Sequence, residues 1–227
     1  MNGSPLQWYS HETAITKHYA YLLQQVEEAL DLATHIWGRF EIDDKEEWER
    51  VPPLQEALQS AEKLALYYRS NEASLTRKQT FSYLIFCQAY NGFDTYVERI
   101  VRHAPRRHQP ANRNISQLEK RSYDLKQNGI DFLVNADDYL RVNTIRECRN
   151  LITHNQGIIT QAFNGIFPTV PPGVGQRIRL YPVDVADDAN FLLRECFRLD
   201  DLAAQQFGIE RKVFPAWQEH YRYERKV

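Results

Sequence analysis

The sequence holds three cysteines, at positions 87, 148 and 196, with no close spacing between them. That pattern excludes a disulfide framework and a clustered zinc site. It predicts free, buried thiols in a reducing cytoplasm. No apolar run approaches the length that a membrane-spanning helix needs. The opening residues, MNGSPLQWYSHET, carry neither a charged leader nor an apolar stretch, so no signal peptide and no membrane contact are expected. Formal net charge is −2, which rules out a protein-wide basic field for nucleic acid. Any such contact must come from a local patch. There is no internal repeat and no low-complexity tract.

What is present points to a packed helical domain. The chain has 227 residues, 43% of them hydrophobic, with 13 Tyr, 11 Phe and 4 Trp, a composition that argues against disorder. It fits one domain over residues 1–227, with a helical core at about 14–207 and a tail at 208–227. Apolar spacing predicts a first helix from Glu12 to Trp37 through Ile15, Tyr19, Leu22, Leu23, Val26 and Leu30. The acidic stretch 41–53 reads as a solvated linker, because no metal-ligand spacing repeats in it. A second helix is expected from Pro53 to about Tyr68. A third runs from an N-cap at Thr76 to His103, with a nearly continuous apolar face that includes Phe81, Leu84, Ile85, Phe86, Tyr90 and Phe93. That breadth makes it the expected central helix. Residues 115–128 read as a further helix ending at Gly129. Gln176 to Val183 alternates apolar and polar residues and predicts a short strand or extended arm. A last helix is expected from Val185 to Phe207, capped by Gly208, with Phe191, Leu192, Cys196, Leu199, Leu202 and Ala203 inward. The fold class expected is therefore all-α, with a short extended segment near 176–183.

The chemistry gathers in residues 137–157, DDYLRVNTIRECRNLITHNQG. Asp137 and Asp138 suit a helix N-terminus, and Gly157 suits its end. Leu140, Ile145, Leu151 and Ile152 follow helical spacing, and Val142 does not. Between them sit Glu147, Arg149, Asn150, His154 and Asn155. Asn150 and His154 are i and i+4, on one face. Arg149 lies about 140° round an ideal helix from His154. The two converge on one ligand only if the Arg149 side chain curls or the helix loosens.

Arg149-Asn150 followed by His154 resembles the Arg-polar-(x)n-His signature of HEPN domains. Glu147 before the Arg, and Asn155-x-Gly157 after the His, resemble the subgroup form E-x-R-N-x-x-x-H-N-x-G. The resemblance is sharp over 147–158 and architectural for about 14–205. It implies an up-and-down helical bundle that pairs as a homodimer, with both motifs facing a shared groove. It also implies a metal-independent endoribonuclease of the toxin or defence type, often held inactive by an antitoxin or other regulatory partner. Arg149 would stabilise the scissile phosphate, His154 would transfer the proton and Asn150 would steer His154. Glu147 and Asn155 would support them.

Elementary chemistry fits that implication. RNA cleavage needs a base for the 2′-hydroxyl, an acid for the 5′-oxygen and a cation for the phosphorane. Histidine moves protons near neutrality. Arginine grips phosphate bidentately and stays charged. Asparagine orients a neighbour through its amide, and a carboxylate such as Glu147 can fix a histidine tautomer. No metal or cofactor is called for. One helix offers only one such set, and a symmetric dimer would supply two. For RNA contacts the one basic stretch, 102–114, offers Arg102, Arg106, Arg107 and Arg113. The alternative function is a non-catalytic HEPN-like module that binds nucleotides or protein, its polar cluster tying a dimer together. A third reading is an unrelated helical bundle with no site.

Overall fold

The computed structural model describes residues 13–26, 35, 59–105, 115–133, 135–167 and 173–214. The protein is mostly helical over these residues. Among them, no helix is long and apolar enough to cross a membrane.

The described residues begin with strand β1 (Thr13–Ile15), not a helix, so Thr13–Ile15 is a correction to the helical expectation, and Glu12 lies outside the described residues. Ile15 is β-branched and fits a strand, and it is buried there. Helix α1 begins after Thr16, whose hydroxyl accepts from the Tyr19 N–H at 3.3 Å. That bond satisfies one of the first-turn donors left over at any helix start. α1 covers 17–26 and buries Tyr19, Leu22, Leu23 and Val26. Residues 27–34, 36 and 37, the rest of the expected helix, lie outside the described residues, as does the acidic linker.

Helix α2 (Ala61–Val101) is one element of 41 residues. The expected break at Thr76 does not occur. No glycine or proline stands between 61 and 91 to stop the helix. The Thr76 carbonyl instead accepts the Thr80 hydroxyl at 2.9 Å, an interior helical bond. α2 is the central helix, against which α1, α3, α4 and α6 pack. Ile85, Phe86, Ala89, Tyr90, Phe93, Tyr96, Val97 and Ile100 are buried along it. Leu84, placed on that face by its hydrophobicity, is 60% exposed. Gly92 marks a close approach. A Cβ there would lie 2.9 Å from Leu22 Cδ1 of α1.

Helix α3 (Gln117–Gln127) opens on a reciprocal capping box between Ser116 and Glu119. Its Arg121 ion-pairs with Asp94 and Glu98 of α2. Helix α4 (Ala136–Asn155) carries the signature. Helix α5 (Gln161–Ile166) is a short turn capped by Thr160. Helix α6 (Pro182–Phe207) starts three residues earlier than expected, with Pro182 in the first turn, where its missing N–H costs nothing. The extended segment is accordingly 176–181. α6 packs most extensively on α2 and buries Val185, Ala189, Leu192, Leu193, Cys196, Leu199 and Ala203. Strand β2 (Lys212–Phe214) then pairs antiparallel with β1 in the register Thr13↔Phe214. The start of the tail thus packs back on the domain.

Buried Asp200 of α6 locks these pieces together. Its carboxylate accepts from the Thr16 N–H (3.1 Å), the Thr16 hydroxyl (2.5 Å) and the Tyr96 hydroxyl (2.6 Å). Arg211, just before β2, lies 3.6 Å away.

Candidate functional site

Helix α4 owes its limits to local chemistry. The Asn135 side chain accepts the Asp137 N–H, and Asp137 and Asp138 occupy the favourable first turn. The C-cap is Gln156, at φ 54°, one residue before the expected Gly157. The buried stripe also differs from expectation. Val142, Ile145, Cys148 and Leu151 face the core, whereas Leu140 is 55% exposed. Three-residue steps outrank the larger side chain, because α4 runs along α2 and turns that edge inward.

Three facing pairs show that α4 lies antiparallel to α2. Arg149 meets Asn91, Thr153 lies by Cys87, and Gly157 sits against Tyr83. The Arg149 guanidinium donates through Nε (3.1 Å) and Nη2 (3.0 Å) to Asn91 Oδ1, and through Nη1 (3.1 Å) to Asn150 Oδ1. Asn150 in turn donates to Glu147 Oε2 at 3.4 Å, and Glu147 pairs with Arg146. Arg149 is therefore held by neutral amides, and among the described residues no carboxylate pairs with it directly.

That charge is felt by its neighbours. Burial raises the pKa of the Tyr90 phenol and nearby Asp94 adds to the rise, while Arg146, Arg121 and Arg149 oppose it. Burial likewise raises the pKa of the Cys87 thiol against a hydrogen bond from Thr153 and the Arg149 charge. Cys148 is pushed up to about 12, chiefly by burial and then by Asp188 and Glu147. These thiols stay protonated at neutral pH, which makes them packing groups rather than nucleophiles. Cys148 and Cys196 are buried as expected, whereas Cys87 is only half-buried.

The helix stays regular through Asn155, so Arg149 and His154 do not converge within the chain. Arg149 turns toward α2. His154 is exposed and, among the described residues, has no hydrogen-bond partner. Glu147 and Asn150, expected beside His154, bind Arg146 and Arg149 instead. Asn155 is exposed, and its carbonyl closes the turn by accepting from the Ile158 N–H at 2.9 Å. Of the basic stretch, Arg106, Arg107 and Arg113 lie outside the described residues. Arg102 ion-pairs with Glu98. It stands eleven residues beyond Asn91, about 16 Å along the helix axis, away from the Arg149 seam.

Sequence reasoning missed a second cluster. Segment 176–181 lies across α2, pinned by side chains that imitate a strand partner. Gln79 donates to the Leu180 carbonyl (2.9 Å) and accepts the Leu180 N–H (3.0 Å). The Tyr83 hydroxyl donates to the Ile178 carbonyl (2.6 Å). The Ile178 N–H reaches the Gly157 carbonyl (2.9 Å), which ties the segment to the end of α4. Ile178 and Leu180 point inward, while Arg177, Arg179 and Tyr181 are exposed. The signal was legible as Arg-x-Arg-x-Tyr at strand spacing. Gly157 is critical here, with φ at 77° and an added Cβ only 2.7 Å from the Tyr83 hydroxyl. Gly157→Ala should cost about 1–3 kcal/mol in denaturant unfolding through strain and overpacking. Wild-type stability would refute this account of the joint.

No model of a known protein family matches this chain, and neither a characterised protein nor a solved structure does.

Proposed function

We propose that the protein is a metal-independent endoribonuclease of the HEPN toxin or defence type, acting as a homodimer. One observation carries the reading. Among the described residues, Arg149 is fixed by two neutral amides with no carboxylate on its guanidinium, and His154 stands exposed with no hydrogen-bond partner five residues on. A preset guanidinium is what a developing phosphorane needs, and it costs no reorganisation at the moment of reaction. An exposed imidazole suits proton transfer, and the two copies in a dimer would serve in turn as base for the 2′-hydroxyl proton and, in protonated form, as acid for the leaving 5′-oxygen. Since the two diverge within one protomer, the reaction requires Arg149 of one copy to work with His154 of another across a twofold axis. Asn150 acts here by holding Arg149, not by steering His154. An antitoxin or regulatory partner would cover that shared groove.

The dimer requirement gives the test. Purified protein should cut single-stranded RNA in EDTA, with specific activity rising with protein concentration as sedimentation shows dimer forming. Arg149→Ala should lower cutting at least about 100-fold, the scale of one lost oxyanion donor. A protein that is monomeric at every concentration, or an Arg149→Ala variant that cuts normally, overturns the reading.

The second reading is a non-catalytic HEPN-like module. It is favoured by the same guanidinium, since three of its N–H groups are already spent on Asn91 and Asn150. It expects no cutting by the wild type, and a changed monomer–dimer balance in Arg149→Ala.

A further inference from the structure

The second cluster forms a cleft of about 360 Å³ between segment 176–181 and the α2 face made by Thr76, Gln79, Thr80 and Tyr83. We propose that this cleft binds a nucleoside phosphate, seating one nucleotide of a single-stranded RNA beside the end of α4. The proposal deepens the ribonuclease reading and rests on it only for the choice of an RNA strand over a free nucleotide.

Four observations support the assignment. First, Arg177 and Arg179 line the cleft from alternate positions of an extended segment, so both project to one side. Two strand steps separate them by about 6.6 Å, comparable to the phosphate spacing of an extended single strand. Second, the lining contains no aspartate or glutamate, and among the described residues the Arg179 side chain has no hydrogen bond or ion pair. Among the same residues, the Arg177 side chain has one long bond, 3.5 Å, to the Gln156 side chain. Their charges are therefore available to an anion, unlike those of Arg102, Arg121 and Arg146, which face carboxylates.

Third, Tyr181 continues the same alternation and is 54% exposed, so it offers a ring next to the two cations. Aromatic rings beside a basic track are how single strands are held without sequence readout. Fourth, the volume falls at the lower end of the roughly 300–1,000 Å³ typical of small-ligand sites, the scale of a single nucleotide. The backbone of the segment is also pinned by Gln79, Tyr83 and Gly157, so the positions that carry the cations are fixed before the ligand arrives. Because Ile178 bonds directly to Gly157, a strand seated here lies against the turn that follows His154.

The test uses the full chain and an uncleavable probe, fluorescein-labelled 2′-O-methyl hexauridylate, followed by anisotropy. Arg177→Ala and Arg179→Ala should each weaken binding about tenfold and flatten the salt dependence by about 0.7 in log–log slope. Tyr181→Ala should weaken it about tenfold as well, with Tyr181→Phe restoring binding. Circular dichroism on each variant guards against misfolding. AMP should compete better than inorganic phosphate. AMP as tight as the oligomer assigns the cleft to a free nucleotide, and a tighter oligomer assigns it to a strand. Both results uphold a nucleoside phosphate. Folded arginine variants that bind like the wild type overturn the proposal, as does triglutamate competing as well as AMP. Because the probe cannot be cut, this outcome is independent of whether the protein cleaves RNA. If it does, Arg177→Ala should raise KM and leave kcat unchanged.

Discussion

Replacing His154 with alanine should lower metal-independent RNA cleavage by roughly 10²- to 10⁴-fold, the range for loss of a positioned proton-transfer group. The side chain is exposed and makes no hydrogen bond among the described residues. Its loss should therefore shift the unfolding midpoint very little, within about 0.5 kcal/mol. A large effect on rate with none on stability is the signature of a chemical role. Adding imidazole to the alanine variant should restore part of the rate, because the missing group is small and its site is open to solvent. Equal cutting by the wild type and the variant would end the ribonuclease reading. A variant that neither cuts nor folds would instead move His154 into the packing.

Asp200→Ala should have the opposite profile, with a heavy loss of stability from a residue outside the proposed site. Asp200 and Thr16 are both 0% exposed, and Tyr96 is 1% exposed. Truncation would strand the Thr16 N–H, two hydroxyls and one side of Arg211. Breaking a buried charged network from one side costs on the order of 3–5 kcal/mol. For a domain of this size that corresponds to roughly 6–20 °C in midpoint. Asp200→Asn keeps the shape and one acceptor, so it should lose less. Thermal and denaturant unfolding of both variants settles the matter, and a loss below about 1 kcal/mol in Asp200→Ala would show the network to be incidental.

Asp200 also shows where reading the sequence stopped. A carboxylate on an amphipathic helix ordinarily marks the wet face. Only the partners brought from Thr16, 184 positions away, make it a core residue. Thr76 misled for a related reason. Threonine favours a helix start, yet its surroundings contain no breaker, so the continuous helix prevailed. Leu140 and Val142 exchanged places because periodicity gives a face, while the neighbour α2 decides which edge of that face is buried. The limits of α3 and α4 were legible, since Ser116, Glu119, Asn135 and Asp137 act on bonds within a few residues. The signature residues were legible as types. Their partners were not, because Asn91 comes from another helix and takes Arg149 away from His154.

The pairing of Thr13–Ile15 with Lys212–Phe214 sets an order of events during synthesis. As the chain leaves the ribosome, α2, α3 and α4 meet partners close by in sequence and can assemble at once. Among the described residues, β1 has no such strand neighbour. It must wait until almost the whole domain has emerged, and closing so long a loop is entropically the costliest step and a slow one. Thr16 waits with it for Asp200. A nascent chain that stalls before α6 therefore leaves Thr13–Ile15 without its β2 partner.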